Sequence, residues 1–413
     1  MSFKITSFIY PAMSLFLTSQ VAFSLELHSK CFKNINNNTF NAAIDGENVN
    51  SKSPIASLSK IFTTYWALHE LGPHYQFETQ VYLKKVSADM YDVHLKGSSD
   101  PYFSNDKLQY LVAQLNSRGI YNIRNLTVDA NFLYMHNVAL LAGSDPLKTQ
   151  DRYTMTPSEL TKGLADLLHQ YSKTRSNYYS LTQKSLPESI HLQVSQIKRE
   201  NSNDTLNRPD SRFTLKSAEN IRLLQQMNKY SNNHIAEFYF SGLGGLKKFN
   251  SFISSTLGLS TQDLEFINGS GGPAIVNNKK VYNYASCSAV LNTLSALTLL
   301  LKQQNLNIWN VMPVAGIDYD MNDKSTVSKN YVTPTTQGAL IGKTGTVNPV
   351  IGLAGLVSSQ QNQILFVEIY STVGSQEWSG ARTQILNDLE SIFRENKGSL
   401  KVSVQDLPFV SFE

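Results

Sequence analysis

The sequence predicts an α/β chain of the α+β kind: an antiparallel sheet flanked by helices, with a smaller β-rich segment inserted early in it. Three observations carry this. Between Gly338 and Tyr370 three apolar runs follow one another with only short turns between them, and strands joined so tightly must pair as antiparallel neighbours. Apolar residues recur at helical spacing in residues 59–71, 221–239, 289–301 and 381–393, which supplies helices to cover the sheet. From Phe77 to about Arg212 the chain changes to short strand-like runs with long polar connections, the pattern of an inserted unit with mobile loops.

Taken in order, residues 1–24 read as a secretory signal: Lys4 in a short basic start, an apolar run from Phe8 to Ala22, and Ala22-Phe23-Ser24 as a cleavage site. Thr18-Ser19-Gln20 interrupts that run, which leaves it short of the ~20 apolar residues of a membrane anchor. No later run is long and apolar enough to span a bilayer, so the mature chain, beginning at Leu25, is expected to be exported and periplasmic. Residues 39–55 read as a hairpin, with Thr39 to Ile44, an Asp45-Gly46 turn and a return strand leading into Pro54. A helix then opens near Ser57, with Ile61, Phe62, Tyr65, Trp66, Leu68 and Leu71 as its apolar face, and Gly72-Pro73 ends it.

In the inserted segment, residues 77–211, the strand-like runs are 80–83, 93–95 and 126–128, around a helix from Leu108 to Asn116. Asn, Ser and Thr crowd residues 173–207, which reads as loop. Residues 25–76 and 212–413 then form the other, larger domain. Helical spacing resumes with Ile221, Leu224 and Met227, breaks at Tyr230-Ser231-Asn232-Asn233, and returns at Ile235, Phe238 and Tyr239. The break is expected to be an exposed loop. Residues 402–412 read as one more strand or as disordered chain.

Composition removes several function classes. The net charge is +4, or +3 without Lys4, and no basic stripe stands out, so nucleic acid is not an expected partner. Cys31 and Cys287 are the only cysteines; they could pair in an oxidising compartment, but their separation in space is not readable from sequence. The stretch His69-Glu70-Leu71-Gly72-Pro73-His74 has one residue too many for the helical zinc motif and a helix-breaking Gly-Pro inside it. Neither metal nor cofactor is expected.

Chemistry concentrates in three short motifs: Ser57-x-x-Lys60 at a helix start, Ser231-Asn232-Asn233 between two helices, and Lys343-Thr344-Gly345-Thr346 on a sheet strand. Side chains three residues apart on a helix meet on one face, so an unprotonated Lys60 could take the proton of Ser57 as it attacks a carbonyl. A second ammonium nearby lowers the pKa of the first, so Lys343 is expected to press Lys60 toward the neutral form. Ser231 can relay a proton to the leaving amine, and Asn233 can hold Lys60 and a substrate amide at once. Thr344 and Thr346, with Lys343, suit a terminal carboxylate, and Gly345 lets the strand backbone approach the substrate. The backbone N–H groups of Ser57 and Thr346 would form the oxyanion hole. Together the three match the S-x-x-K, S-x-N and K-T-G set of penicillin-binding proteins and class A β-lactamases.

The chain resembles the low-molecular-mass penicillin-binding proteins of the D-alanyl-D-alanine carboxypeptidase/endopeptidase S13 type, the penicillin-binding protein 4 family. The resemblance rests on Ala56-Ser57-Leu58-Ser59-Lys60, Phe77-Glu78-Thr79, Leu95-Lys96-Gly97-Ser98-Ser99-Asp100-Pro101, Leu126-Thr127-Val128-Asp129, Met227 to Asn233, Asn268-Gly269-Ser270-Gly271, Met312-Pro313-Val314-Ala315-Gly316 and Gly342 to Thr346. The 174 residues between Ser57 and Ser231 leave room for the insertion this family carries. The resemblance implies a transpeptidase-like domain, peptidoglycan stem peptides as substrate and β-lactams as inhibitors that acylate Ser57. Where the family has Asp-Gly-Ser-Gly this chain has Asn268, which is expected to keep the turn. A residue reading the diaminopimelate side chain has no clear place; Asp151 is a bare candidate. The rival readings are a β-lactamase or esterase on the same fold and a catalytically silent cell-wall binding protein.

Overall fold

In the computed structural model, which describes residues 25–35, 43–134, 164 and 171–413, the chain opens with β1 (Glu26–Asn34), β2 (Asp45–Glu47) and β3 (Lys52–Pro54). A 3-10 turn at Ala56–Leu58 runs straight into α1 (Ser59–Leu71). Then come β4 (Glu78–Lys85), β5 (Met90–Lys96), α2 (Asn105–Asn116), β6 (Asn122–Val128), α3 (Tyr171–Thr182), β7 (Gln193–Arg199), α4 (Asp204–Asn207) and β8 (Ser211–Lys216). The helices α5 (Asn220–Lys229), α6 (Asn233–Gly242) and α7 (Gly245–Leu257) precede the short strands β9 (Leu264–Glu265), β10 (Ala274–Val276), β11 (Lys279–Val281) and β12 (Tyr284–Ser286). Finally α8 (Cys287–Gln303), α9 (Thr326–Asn330), β13 (Leu340–Val347), β14 (Val350–Ser358), β15 (Gln363–Ser371) and α10 (Trp378–Glu395) complete the chain.

The main sheet has the order β13-β14-β15-β1-β2, and β13, β14 and β15 pair antiparallel as their short connections require. Every residue of β14 is buried, because the sheet is covered on both faces. Leu365, Val367 and Ile369 of β15 join the core that contains α1 and α8, while Phe366 and Tyr370 join the core under α10. Cys31 of β1 and Cys287 at the start of α8 form a disulfide, which ties sheet to helix and closes a long loop of the unfolded chain.

Two expectations change here. Asp45-Gly46 is not a hairpin turn: both lie in β2, which pairs with β1, while β3 belongs to a separate small sheet with β12 and β9. The partner strand expected at Thr39 to Ala42 lies outside the described residues, as do residues 1–24, read above as a secretory signal, and Asp151. Helix α1 is buried not on one side but over all of Ser59–Leu68, since α5, α6 and α8 and the 3-10 turn surround it. Its neighbours supply the burial that the face-counting pattern could not show.

The second sheet has the order β7-β6-β5-β4-β8 and is mixed, with β5-β6 and β6-β7 parallel. Leu108, Leu111 and Leu115 of α2 and Tyr178 of α3 bury a core against it with Val81, Val93, Ile123 and Leu126. The region that composition marks as loop contains α3 and β7. Both are weakly patterned for a physical reason: β7 is an edge strand with no buried residue, and α3 buries only Tyr171, Thr174 and Tyr178. The tail forms no named strand among 402–413, yet it is fixed. Phe412 stacks on Tyr110 with ring centroids 4.2 Å apart, and the N–H and hydroxyl of Ser411 donate to Asp106 at 2.7 and 2.8 Å.

Candidate active site

Four pieces of chain converge at the front of α1. The 3-10 turn places Ser57 one turn before Lys60, and only Ser57 of the pair keeps partial exposure; Lys60 is fully buried. The α5–α6 junction supplies the second piece. It is not an exposed loop: Tyr230 and Ser231 are half-buried and Asn232 is buried, with the Asn232 side chain capping α6 by accepting from the Ile235 N–H. Ser231 sits in the left-handed region at φ +54°, the sharp reversal that lets two helices abut with their ends at one point. The third piece is β13, an edge strand, and the fourth is the 268–272 loop.

Lys60 Nζ lies 3.0 Å from Ser57 Oγ, 2.7 Å from Asn233 Oδ1 and 2.9 Å from the Ser270 carbonyl oxygen. Lys343 Nζ donates to Ser231 Oγ at 2.9 Å and to the Thr344 carbonyl at 2.8 Å. The structure therefore brings Ser57, Lys60 and Asn233 into one hydrogen-bonded group and Ser231 with Lys343 into a second. Thr344, Gly345 and Thr346 follow along the strand. The Gly342 N–H points away from β14 to the Pro313 carbonyl at 3.1 Å, so the alternation of an antiparallel ladder leaves the Thr344 and Thr346 peptide groups on that same free edge. Side chains alternate across the strand; Lys343 and Gly345 share the face toward the 3-10 turn, and Thr344 is on the other. A Cβ on Gly345 would come within 2.9 Å of the Ile55 carbonyl, so glycine is what allows β13 to lie against the turn that carries Ser57.

Burial sets the electrostatics. It pulls Lys60 down to about 7, and the charge of Glu237 opposes that fall. Lys343 is pushed well below the ordinary lysine value, first by burial and then by the neighbouring Lys60. Sequence reasoning names the second ammonium as the pressure on Lys60; the structure corrects this, since desolvation is what lowers Lys60 and the coupling between the amines falls on Lys343, burial favouring the neutral amine in any apolar surround. A neutral Lys60 can donate to Asn233 and Ser270 and still accept the Ser57 proton with its lone pair. That is the protonation state a general base needs.

Several residues outside the three motifs hold this arrangement. Glu237, one turn after Asn233 on α6, accepts from the N–H groups of Gly269 and Ser270 at 3.0 and 2.8 Å. Buried Asn283 donates to Ser59 Oγ at 3.0 Å and to the Asn268 carbonyl at 2.8 Å, and Thr63 Oγ1 donates to the Gly269 carbonyl at 2.7 Å. Asn268 closes its own turn from both ends of the amide, accepting from the Gly271 N–H and donating to the Gly272 carbonyl, each at 2.8 Å. A Cβ on Gly271, at φ +75°, would fall 1.8 Å from the Ala56 carbonyl. The one signal in sequence for Glu237 is its i+4 spacing from Asn233; nothing local marks Asn283. Among the described residues no group of three or more His, Cys, Asp or Glu side chains is placed to hold a metal ion. His74 instead bonds Glu219 at 2.9 Å.

The D-Ala-D-Ala carboxypeptidase 3 (S13) family matches residues 35–159 and 174–390. The chain belongs to this family. It is a serine-type DD-peptidase with the α+β fold of its relatives. Among solved structures, it is similar to the Bd0816 predatory endopeptidase of Bdellovibrio bacteriovorus, held there in complex with the immunity protein Bd3460. Identity is 27%, the TM-score is 0.83, and 94% of this chain and 98% of that one are covered. A penicillin G acylated form of the Bd3459 predatory endopeptidase from the same organism matches at 28% identity and TM-score 0.78, covering 94% and 98%. Penicillin-binding protein 4 (dacB) of Haemophilus influenzae shares the fold at 16% identity and TM-score 0.57, covering 88% and 96%. No curated protein matches the chain.

Proposed function

We propose that this DD-peptidase cleaves D-Ala-D-Ala bonds, D-Ala–diaminopimelate cross-links, or both, in peptidoglycan through an acyl-enzyme on Ser57. The observation that carries the reading is the 3.0 Å approach of Ser57 Oγ to a lysine that burial holds near 7. Ser57 Oγ attacks the D-Ala carbonyl while its proton passes to Lys60 Nζ, and the carbonyl oxygen becomes an oxyanion. The N–H groups of Ser57 and Thr346 receive it, a stabilisation of about 3 kcal/mol per donor. Collapse breaks the C–N bond as Ser231 delivers a proton to the leaving amine and recovers the one that Lys60 took from Ser57. Water then attacks the ester, giving a proton to Lys60, which passes it to Ser57 Oγ as the C–O bond breaks. Lys343, with the free edge at Thr344 to Thr346, receives the terminal carboxylate.

The Cys31–Cys287 disulfide fits an oxidising compartment, which supports an exported, periplasmic protein whose partners are stem peptides and β-lactams. Residues 77–211, with the rest of β8, act on this reading as an inserted domain with a sheet and core of its own. The similarity to predatory endopeptidases favours the cross-link as target. The test is covalent labelling: purified protein is expected to take up fluorescent penicillin at Ser57, and Ser57→Ala to take up none. Equal labelling of Ser57→Ala, or no labelling of the native chain, would sink the assignment.

A further inference from the structure

The geometry points to Glu237 as a positioning residue for acylation, one that fixes the Ser270 carbonyl against Lys60 and supplies a negative charge to that amine. This deepens the reading above and rests on it. Both carboxylate oxygens of Glu237 are engaged, one by the Gly269 N–H at 3.0 Å and the other by the Ser270 N–H at 2.8 Å. The same two residues present the Ser270 carbonyl to Lys60 Nζ at 2.9 Å and the Gly269 carbonyl to Thr63 Oγ1 at 2.7 Å. Glu237 therefore acts through two backbone amides on the loop, and the loop acts on the base. Asn233 belongs to the same helix one turn earlier and takes a second corner of Lys60 at 2.7 Å. Helix α6 thus sets two of the three partners of the amine, one directly and one through Glu237.

Charge makes the second half of the inference. On α6 the charged group that acts on Lys60 is Glu237, and His234 is buried on the same helix; on β13 there is Lys343. The other packed helices contribute little. On α5, Lys229 is bound to Asp406 and Arg222 to Gln225 and the tail carbonyls, while Lys302 lies in the last turn of α8. His69 and Glu70 sit at the far end of α1. With burial lowering Lys60 and Glu237 opposing it, the carboxylate keeps the base from falling to a value at which it would bind the Ser57 proton too weakly.

The experiment is the pH profile of the acylation rate with penicillin as probe, measured on the full chain and on Glu237→Gln and Glu237→Asp, with thermal melts as a folding check. Glu237→Gln removes the charge and can accept only one of the two N–H groups. Its acidic limb is expected to move down by about one pH unit, and its plateau to fall about tenfold as the loop loses an anchor. Glu237→Asp keeps the charge on a shorter arm, so its plateau should fall while the limb stays. A Glu237→Gln profile that merely drops at every pH, or that equals the native one, would overturn the inference; should that variant not fold, a shifted limb in Glu237→Asp would do the same. Native chain that never acylates at Ser57 removes the underlying reading instead, whereas normal native acylation with an unmoved Glu237→Gln limb removes only the role of Glu237.

Discussion

The two sheets each bury a lysine completely, and they do it in opposite ways. In the second sheet's core, Lys107 of α2 is 0% exposed, and its ammonium meets the equally buried carboxylate of Asp100 and lies 5.3 Å over the Phe103 ring. Beside the main sheet, Lys60 and Lys343 are also 0% exposed, but their hydrogen-bond partners are hydroxyls, one amide and backbone carbonyls. A carboxylate at contact distance offsets the cost of burying an ammonium; neutral acceptors do not offset it fully, and the amine gives up its proton instead. Burying a lysine with a counter-ion builds a fold, and burying it without one builds a base. The Glu237 carboxylate, whose charge opposes the fall at Lys60, is engaged by the loop N–H groups instead.

The contrast can be broken by substitution. Lys60→Met should cost acylation the most, about 10²- to 10⁴-fold, measured as the rate of penicillin labelling. The same change should leave the fold more stable by about 1–3 kcal/mol at neutral pH, because it removes a cost. The sign follows from linkage: Lys60 titrates near 7 when folded against an ordinary 10.5. Between those values the unfolded chain binds more protons, so native stability climbs with pH over that window, and Lys60→Met loses the climb.

Lys107→Met should behave in the reverse sense. It strands the Asp100 carboxylate in an apolar site and should lower stability by about 3–5 kcal/mol in urea melts, with acylation per folded molecule close to native. If Lys60→Met destabilised and Lys107→Met did not, the contrast between the two regions would be wrong.

Glu368 sharpens the comparison at smaller scale. It is fully buried on β15 under α10, and burial, then the charge of Asp388, pushes its carboxyl well above the ordinary 4.5. A raised acid is neutral on both sides of unfolding at low pH, and its stabilising effect is lost as pH rises above about 4.5. Glu368→Gln should therefore be close to neutral at pH 4 and stabilising by about 1 kcal/mol or more at pH 8. Thermal melts at the two pH values measure the difference.

Much of this was legible from residues alone where a signal is local. The three closing strands are long apolar runs with short turns, and α8 and α10 have clean helical spacing, so their places follow from pattern. The three motifs single out Ser57, Lys60, Ser231, Asn233 and Lys343, which the structure brings together as two hydrogen-bonded groups, as the proposed acyl transfer requires. Signals that depend on a neighbour were not legible. β7 is a polar edge strand, α3 is anchored through few side chains, and residues 402–413 take their order from Asp106 and Tyr110 hundreds of residues earlier. Gly271 and Gly345 read as ordinary loop and strand glycines until the Ala56 and Ile55 carbonyls are seen against them.

Residue order alone was enough to choose the chemistry proposed for this chain, since the proposed nucleophile, base and carboxylate-binding residues are written in three short stretches. Tertiary structure alone decided the state in which they work. Whether Lys60 is an amine or an ammonium depends on how much water and which carboxylates reach it, and those are properties of α5, α6, α8 and the 268–272 loop closing around α1, not of any stretch read alone. The pairing of Cys31 with Cys287 and the place of Glu237 were decided the same way, by distances between segments that the order of residues does not contain.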